Sequence, residues 1–191
     1  MVHFQAELIK WYDKHKRDLP WRHTKDPYKI WLSEIILQQT RVAQGLAYYE
    51  KFISTHPNVA SLANASEEEV LSLWKGLGYY SRARNLHKTA RQVQSDFKGK
   101  FPGSYEGLLK LAGVGPYTAA AISSFCYNEP KAVLDGNVFR LLSRLYDIDT
   151  PINTPKGQKE FSELAGAVLN IKDPAKHNQA MMEFGALQCL P

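Results

Sequence analysis

Leu111-Ala112-Gly113-Val114-Gly115-Pro116-Tyr117-Thr118-Ala119 is the stretch on which the fold turns. Two glycines two residues apart supply the backbone freedom of a tight connection. The proline that follows suits the first position of a helix, where an N–H would have no intrahelical partner. The stretch therefore reads as the turn of a helical hairpin, its second helix running from Pro116 through Ala119 to Phe125. It is not a Gly-x4-Gly-Lys-Ser/Thr phosphate loop. It is also a poor dinucleotide fingerprint, because Thr118 stands where a third small residue belongs and no strand precedes it. Two readings remain: a plain connection between helices, or a cradle whose exposed N–H groups hold a phosphate.

Outward from the hairpin the punctuation stays helical, and no segment alternates as a strand with hairpin turns. From Tyr28, the apolar positions Ile30, Trp31, Leu32, Ile35, Ile36, Val42 and Leu46 predict one long, mostly buried helix. Ser66 and Glu69 form a capping-box signature ahead of Val70, Leu71, Leu73 and Trp74. Leu86, Ala90, Val93 and Phe97 lie on one helix face and Arg84, Lys88 and Arg91 on another. Asp135 precedes a helix from Val138 to Leu145, while Thr154-Pro155 and Asp173-Pro174 each pair an N-cap with a first-turn proline. The expected fold is all-α, with about nine helices and no repeat or flexible linker.

Composition narrows the function classes. The 191 residues are 44% hydrophobic and 12% aromatic, with 12 glycines and 10 prolines, which excludes collagen-like and disordered chains. No apolar run approaches the roughly 18 residues of a membrane span, and the N-terminus does not read as a signal peptide, so a soluble, intracellular protein is expected. Two cysteines, Cys126 and Cys189, make neither a disulfide framework nor a Cys-x2-Cys knuckle. Residues 1 to 100 carry 16 Lys and Arg against 10 Asp and Glu, whereas residues 101 to 191 carry 8 against 9. The run from Ser81 to Lys100 holds Arg82, Arg84, Lys88, Arg91, Lys98 and Lys100 against one acid, Asp96. Such asymmetry is either a solvated helix face or the footprint of a polyanion, with nucleic acid ahead of membrane. It favours the phosphate reading of the hairpin.

Two carboxylates invite chemistry. Glu34 sits in an apolar run; facing a core cavity, it would have the raised pKa a general acid needs. Glu34, Gln38 and Arg41 also share a helix face, and spacing alone favours a polar stripe toward water. Asp135 reads as an N-cap, a position where backbone N–H groups and the helix dipole hold a carboxylate ionised. One protonated and one charged carboxyl is the division of labour that cleaves a glycosidic bond. Gly76-Leu77-Gly78-Tyr79-Tyr80 places two tyrosines beside a basic helix start, for stacking on bases or for burial with bonded hydroxyls.

The order of these features resembles the helix-hairpin-helix DNA glycosylase superfamily and, within it, the catalytic region of MutY-type adenine DNA glycosylases. Leu19-Pro20-Trp21-Arg22, Asp26-Pro27-Tyr28, Ser33-Glu34, Leu37-Gln38-Gln39-Thr40, Gly76 to Leu86, Gly113-Val114-Gly115, Val133 to Val138 and Met182 to Leu187 carry the resemblance. It implies two helical lobes, residues 25–134 with the hairpin and residues 1–24 plus 135–191, with the active site in the cleft between them. The implied activity is removal of adenine mispaired with 8-oxoguanine or guanine in double-stranded DNA, by a monomer with no membrane partner. Glu34 matches the residue that protonates the base at N7 and assists the water, and Asp135 the one that stabilises the cationic sugar. By the same resemblance Tyr117 matches a residue in the active site beside Glu34, and Asn137 one that helps hold the water and Asp135. Trp21, Arg22, Leu37 and Val42 match residues that help form the adenine pocket. Gln39 and Tyr79 match residues that probe the duplex around the oxidised guanine, and Arg82 and Arg84 are implied to belong to the DNA-binding surface. The hairpin Gly113-Val114-Gly115 is implied to bind phosphate, with a monovalent cation on carbonyls such as those of Leu111 and Val114.

Related enzymes separate at two positions. Endonuclease III-like lyases carry a Schiff-base lysine where this chain has Tyr117 and lack an acid at the Glu34 position, so a monofunctional glycosylase is expected. Thymine-mismatch glycosylases share the tyrosine and both carboxylates but have two arginines where this chain has Gln38-Gln39, and are the alternative enzyme. A non-catalytic DNA-binding fragment is the alternative outside enzymes. Family members continue beyond Cys189, the first ligand of a 4Fe-4S cluster, with three more cysteines and a domain that reads 8-oxoguanine. No cofactor is expected in these 191 residues, a cluster is expected in a full-length protein, and selectivity for 8-oxoguanine should be weakened here. The resemblance implies a cytoplasmic, nucleoid-associated protein in a bacterium and a nuclear or mitochondrial one in a eukaryote.

Overall fold

The computed structural model describes residues 2 to 190. In chain order its elements are α1 (Val2–His15), a 3-10 turn (Pro20–Arg22), α2 (Pro27–Leu37), α3 (Val42–Thr55), α4 (Val59–Asn64), α5 (Glu67–Trp74), α6 (Ser81–Asp96), α7 (Tyr105–Leu108), α8 (Pro116–Tyr127), α9 (Gly136–Tyr146), α10 (Pro155–Val168) and α11 (Pro174–Leu187). The described residues contain no strand, as the all-α reading requires. Eleven helices appear among them where about nine were expected. The extra ones are short: α4 and α7 have 6 and 4 residues, too few for an apolar period to emerge. None of the described helices is long and apolar enough to cross a membrane.

Side chains capture the orphan N–H groups that open these helices. The Asp26 carboxylate accepts from Tyr28 N at 2.9 Å, Ser66 Oγ from Glu69 N at 3.1 Å, Thr154 Oγ1 from Gly157 N at 3.0 Å and Asp173 Oδ1 from Lys176 N at 3.2 Å. Pro27, Pro155 and Pro174 occupy first-turn positions. The Ser66 cap is met from one side only, since the Glu69 carboxylate turns instead to lie 3.7 Å from His56 Nε2.

The single helix expected from Tyr28 through Leu46 is in fact two, broken at Gln38 to Arg41. Gln39 takes φ 54°, outside the helical basin. The C-terminal carbonyls of α2 would lack donors there, and Arg82 supplies them: its Nη1 donates to Ile35 O at 3.2 Å, to Ile36 O at 3.1 Å and to Gln38 O. Apolar periodicity crosses the break undisturbed because both helices bury a face, so the pattern alone cannot register it.

The chain divides into two compact units, Pro20–Ile122 on one hand and the residues up to Leu19 with those from Ser123 on the other. These divisions fall ahead of the 24/25 and 134/135 boundaries read from sequence. In the 20–122 unit α2 is buried on nearly all sides from Tyr28 to Ile36. Trp31, Leu32, Ile36, Phe52, Leu62, Trp74 and Leu86 are at most 1% exposed. At Gly45 a Cβ would meet Leu37 Cδ2 at 2.7 Å, so the glycine lets α3 close on the end of α2. The basic stripe of α6 lies outward as expected: Arg84, Lys88 and Arg91 are exposed while Leu86, Ala90 and Val93 are buried.

The second unit packs Leu8 and Tyr12 of α1 with Val138, Leu141 and Leu142 of α9, Phe161 of α10 and Met181 of α11, with Cys189 in the same core. Within it, the buried Glu183 carboxylate accepts from Arg17 N at 2.8 Å, Nε at 2.9 Å and Nη2 at 2.5 Å. His177 of α11 is 1% exposed, and burial alone pushes its imidazole down to about 4. The Asn178 amide fixes the approach to α9: Nδ2 donates to Ser124 Oγ and Lys131 O, each at 2.8 Å, and Oδ1 accepts from Val133 N at 3.1 Å.

Candidate active site

Glu34 does not face water. It is 7% exposed, and the Tyr117 hydroxyl donates to its Oε2 at 2.6 Å. The polar-stripe reading fails because α2 is enclosed: Gln38, one turn on, is half-buried, with Nε2 3.5 Å from Thr118 Oγ1. A carboxyl inside an apolar helix, held by a phenol from the start of α8, is a proton donor and acceptor with a fixed direction. Thr118, 2% exposed, belongs to the same cluster. Its spacing in the sequence speaks only against a dinucleotide fingerprint, so sequence reading does not reach this role.

Asp135 caps α9 with extended backbone, φ −110° and ψ 177°. Its Oδ1 accepts from Val138 N at 2.8 Å, its Oδ2 from Asn137 Nδ2 at 2.7 Å. The cap reading and the pairing with Asn137 therefore hold. The N–H bonds from Val138 and Asn137 and the charge of Arg140 pull toward the anion as expected, but burial outweighs them and lifts the Asp135 carboxyl above the ordinary aspartate value. Arg140 is not marked out by the sequence. Its Nη2 donates to Asn137 Oδ1 at 3.0 Å and to Gly185 O at 2.8 Å, and its Nε to Cys189 O. Holding Asn137 by its oxygen leaves the amide NH2 to face Asp135.

The hairpin joins α7 to α8. Gly113 takes φ 70°, and a Cβ there would lie 2.8 Å from Asn85 Cβ, so only glycine fits. Gly113 and Gly115 are exposed and Val114 is buried. The turn is clamped from α6: Gln92 Nε2 donates to Lys110 O at 3.1 Å, its Oε1 accepts from Ala112 N at 2.9 Å, and Thr89 Oγ1 donates to Ala112 O. Neither clamp residue is singled out by the sequence; their position one and two turns after Asn85 on the α6 face is the available signal. Leu111 O accepts from Val114 N at 3.2 Å and keeps a lone pair. Neutral carbonyls of this kind match a monovalent cation in donor chemistry.

The remaining expected site residues divide. Tyr79 is 66% exposed with φ 47°, and Tyr80 is 40% exposed, so burial is not their role. Gln39 is exposed. Trp21 is buried edge-on against Tyr49 with ring centroids 5.1 Å apart, Arg22 is half-buried in the 3-10 turn, and Leu37 and Val42 are half-buried at the facing ends of α2 and α3. Arg84 is exposed and pairs with Glu67 at 3.2 Å. Arg82 departs from the expected surface role: its guanidinium is engaged by protein carbonyls and stacks over the Trp74 ring at 5.0 Å, and burial lowers its pKa.

A 4Fe-4S cluster held by cysteines needs four thiolates, and the chain has two cysteines, of which Cys189 is packed in the core of its unit and Cys126 is half-buried. The residues present do not fit such a centre. No group of three His, Cys, Asp or Glu side chains suited to a metal occurs among the described residues.

Helices joined by a Gly-x-Gly hairpin, a buried carboxyl under a tyrosine and an aspartate capping a later helix define the helix-hairpin-helix class. The chain belongs to the HhH-GPD superfamily of base excision DNA repair proteins, whose family model matches residues 32–166. It is 43% identical over 188 residues to the adenine DNA glycosylase of Buchnera aphidicola subsp. Baizongia pistaciae, covering 98% of this chain and 53% of that protein. It is 41% identical over 197 residues to the adenine DNA glycosylase of Mus musculus, covering 98% and 38%. The chain thus spans about half the length of the bacterial relative. Among solved structures it is similar to a thermostable thymine-DNA glycosylase, with TM-score 0.90, 29% identity, and coverage of 100% of this chain and 88% of that one.

Proposed function

We propose that this chain is the catalytic region of a monofunctional adenine DNA glycosylase acting on double-stranded DNA with adenine opposite 8-oxoguanine or guanine. The observation that carries the reading is the buried Glu34 held at 2.6 Å by Tyr117, an acid and a phenol where a lyase needs an amine. Glu34 gives its proton to N7 of the flipped adenine. The C1′–N9 bond then breaks with its electron pair leaving on the base, and Asp135 stabilises the oxocarbenium ion that remains. Water adds at C1′ and its proton passes to the Glu34 carboxylate, giving free adenine, an abasic site and a regenerated acid. Asn137 orients Asp135 and the water. Flipping costs a few kcal/mol of unstacking, least at a mispair, with Trp21, Arg22, Leu37 and Val42 lining the pocket and Gln39 and Tyr79 probing the opposite strand. The hairpin binds backbone phosphate, helped by a monovalent cation on the Leu111 and Val114 carbonyls.

The fold similarity to a thymine-DNA glycosylase favours a second reading, removal of thymine from a T·G mispair. Gln38-Gln39 speaks against it. Single-turnover release from A·8-oxoguanine and T·G duplexes, with Glu34→Gln and Asp135→Asn alongside, separates the cases. Adenine release lost in both variants supports the proposal, thymine release supports the second reading, and binding without release of either base leaves a DNA-binding module.

A further inference from the structure

We propose that Arg82 is a positioning residue that locks the Gln39 loop and the Tyr79 loop into one unit, so that their two tips are presented to nucleic acid at a fixed spacing. What the tips contact rests on the reading above; the lock itself does not. The guanidinium divides between two segments about 40 residues apart in sequence. Nη1 donates to Ile35 O, Ile36 O and Gln38 O, and lies 3.4 Å from Thr40 Oγ1. Nη2 donates to Leu77 O at 3.2 Å and Gly78 O at 3.4 Å.

The carbonyls it holds are telling. Gln38 O and Gly78 O each immediately precede a non-glycine residue in the left-handed region, Gln39 at φ 54° and Tyr79 at φ 47°. Neither residue type adopts that conformation without a cost, and such strain persists only where surrounding structure enforces it. One side chain enforces both. Trp74 adds support on the second loop: its Nε1 donates to Gly78 O at 2.9 Å, and its ring and that of Tyr79 lie 5.0 and 5.7 Å from the guanidinium carbon. A planar fork with five donors can serve two loops at once; an ammonium is a point donor and cannot. Arg82 therefore shapes the interface without being on it, whereas the exposed Arg84, two residues on, is free to meet phosphate once its surface pair with Glu67 yields.

The test is a double-mutant cycle on the whole chain, read as the dissociation constant for an A·8-oxoguanine duplex relative to a fully paired duplex of the same length. Arg82→Lys keeps the charge, so salt-dependent binding to the paired duplex should change little. Preference for the mispair should fall about 10-fold, and by less than about twofold when Gln39→Ala and Tyr79→Ala are already in place. An undiminished effect in that background, or an equal loss on both duplexes, overturns the proposal. Should Arg82→Lys not fold, native-state hydrogen exchange of the unmutated chain decides: residues 38–40 and 77–79 should open together with one free energy, and separate openings refute the lock. If no duplex binds at all, the functional reading fails while the exchange result still judges Arg82.

Discussion

Alanine at Gly185 would drive a methyl group into the turn of α9 that carries Asp135 and Asn137. The new Cβ would lie 2.5 Å from Asn137 O, 2.8 Å from Asn137 C and 2.9 Å from Asn137 Cβ, where ordinary contact begins at 3.4 Å. Two of the three obstructing atoms are backbone, so no rotamer change relieves them. The start of α9 must retreat from α11 by about 0.9 Å, carrying the Asn137 amide away from Arg140, which ties Asn137 Oδ1 and Gly185 O together at 3.0 and 2.8 Å. Overpacking of this kind costs about 1–3 kcal/mol. Alanine recovers about 1 kcal/mol of helix propensity over glycine, so the net loss is about 0–2 kcal/mol and Tm falls by up to about 8 °C. The effect on chemistry is larger, because a misplacement near 1 Å costs up to about 100-fold in rate. Single-turnover adenine release under enzyme excess, beside a thermal melt, reads both quantities. A variant that melts like the parent and turns over within about threefold of it would refute the idea that this contact sets the Asp135–Asn137 geometry.

Removing the Tyr117 hydroxyl with Tyr117→Phe should lower the single-turnover rate by about 10-fold, the worth of one hydrogen bond to a carboxyl, against about 100-fold or more for Glu34→Gln; equal rates for Tyr117→Phe and the parent would sink the pairing. His177 is neutral in the fold, with its pKa lowered from 6.5 to about 4. Its stabilisation is whole above pH 6.5 and is lost as pH falls toward 4, about 3 kcal/mol in all. Urea midpoints should therefore drop more steeply across that window in the parent than in His177→Gln, and parallel slopes would refute it. Affinity for duplex DNA should fall steeply with salt, and Lys88→Ala on the outer face of α6 should reduce the log–log slope by about 0.9; an unchanged slope removes Lys88 from the interface.

How far these features are legible follows from the range of the interactions behind them. Helix starts are readable because caps act within three residues: Ser66, Asp135, Thr154 and Asp173 each bond an N–H three positions on. The end of α2 is not, because its carbonyls are capped by Arg82, more than 40 residues away in sequence. The same distance explains the misplaced role of Arg82. Charge counting puts it with Arg84, Lys88 and Arg91, yet it heads a different α6 face, where Asn85, Thr89 and Gln92 follow at helical spacing and meet the hairpin. Glu34 presents the converse difficulty: periodicity assigns it a face but does not say whether protein or water lies beyond, and the answer is Tyr117, 83 residues on. For Asp135 the cap is readable and the sign of its pKa is not, since the local N–H bonds visible in sequence favour the anion while the burial that opposes them comes from tertiary packing. A buried aspartate in that state destabilises the folded protein as pH rises through its own pKa, a penalty that a solvent-exposed cap would not carry. A cation brought beside the buried carboxylate would offset part of that penalty, because an opposite charge within a few ångström favours the anion.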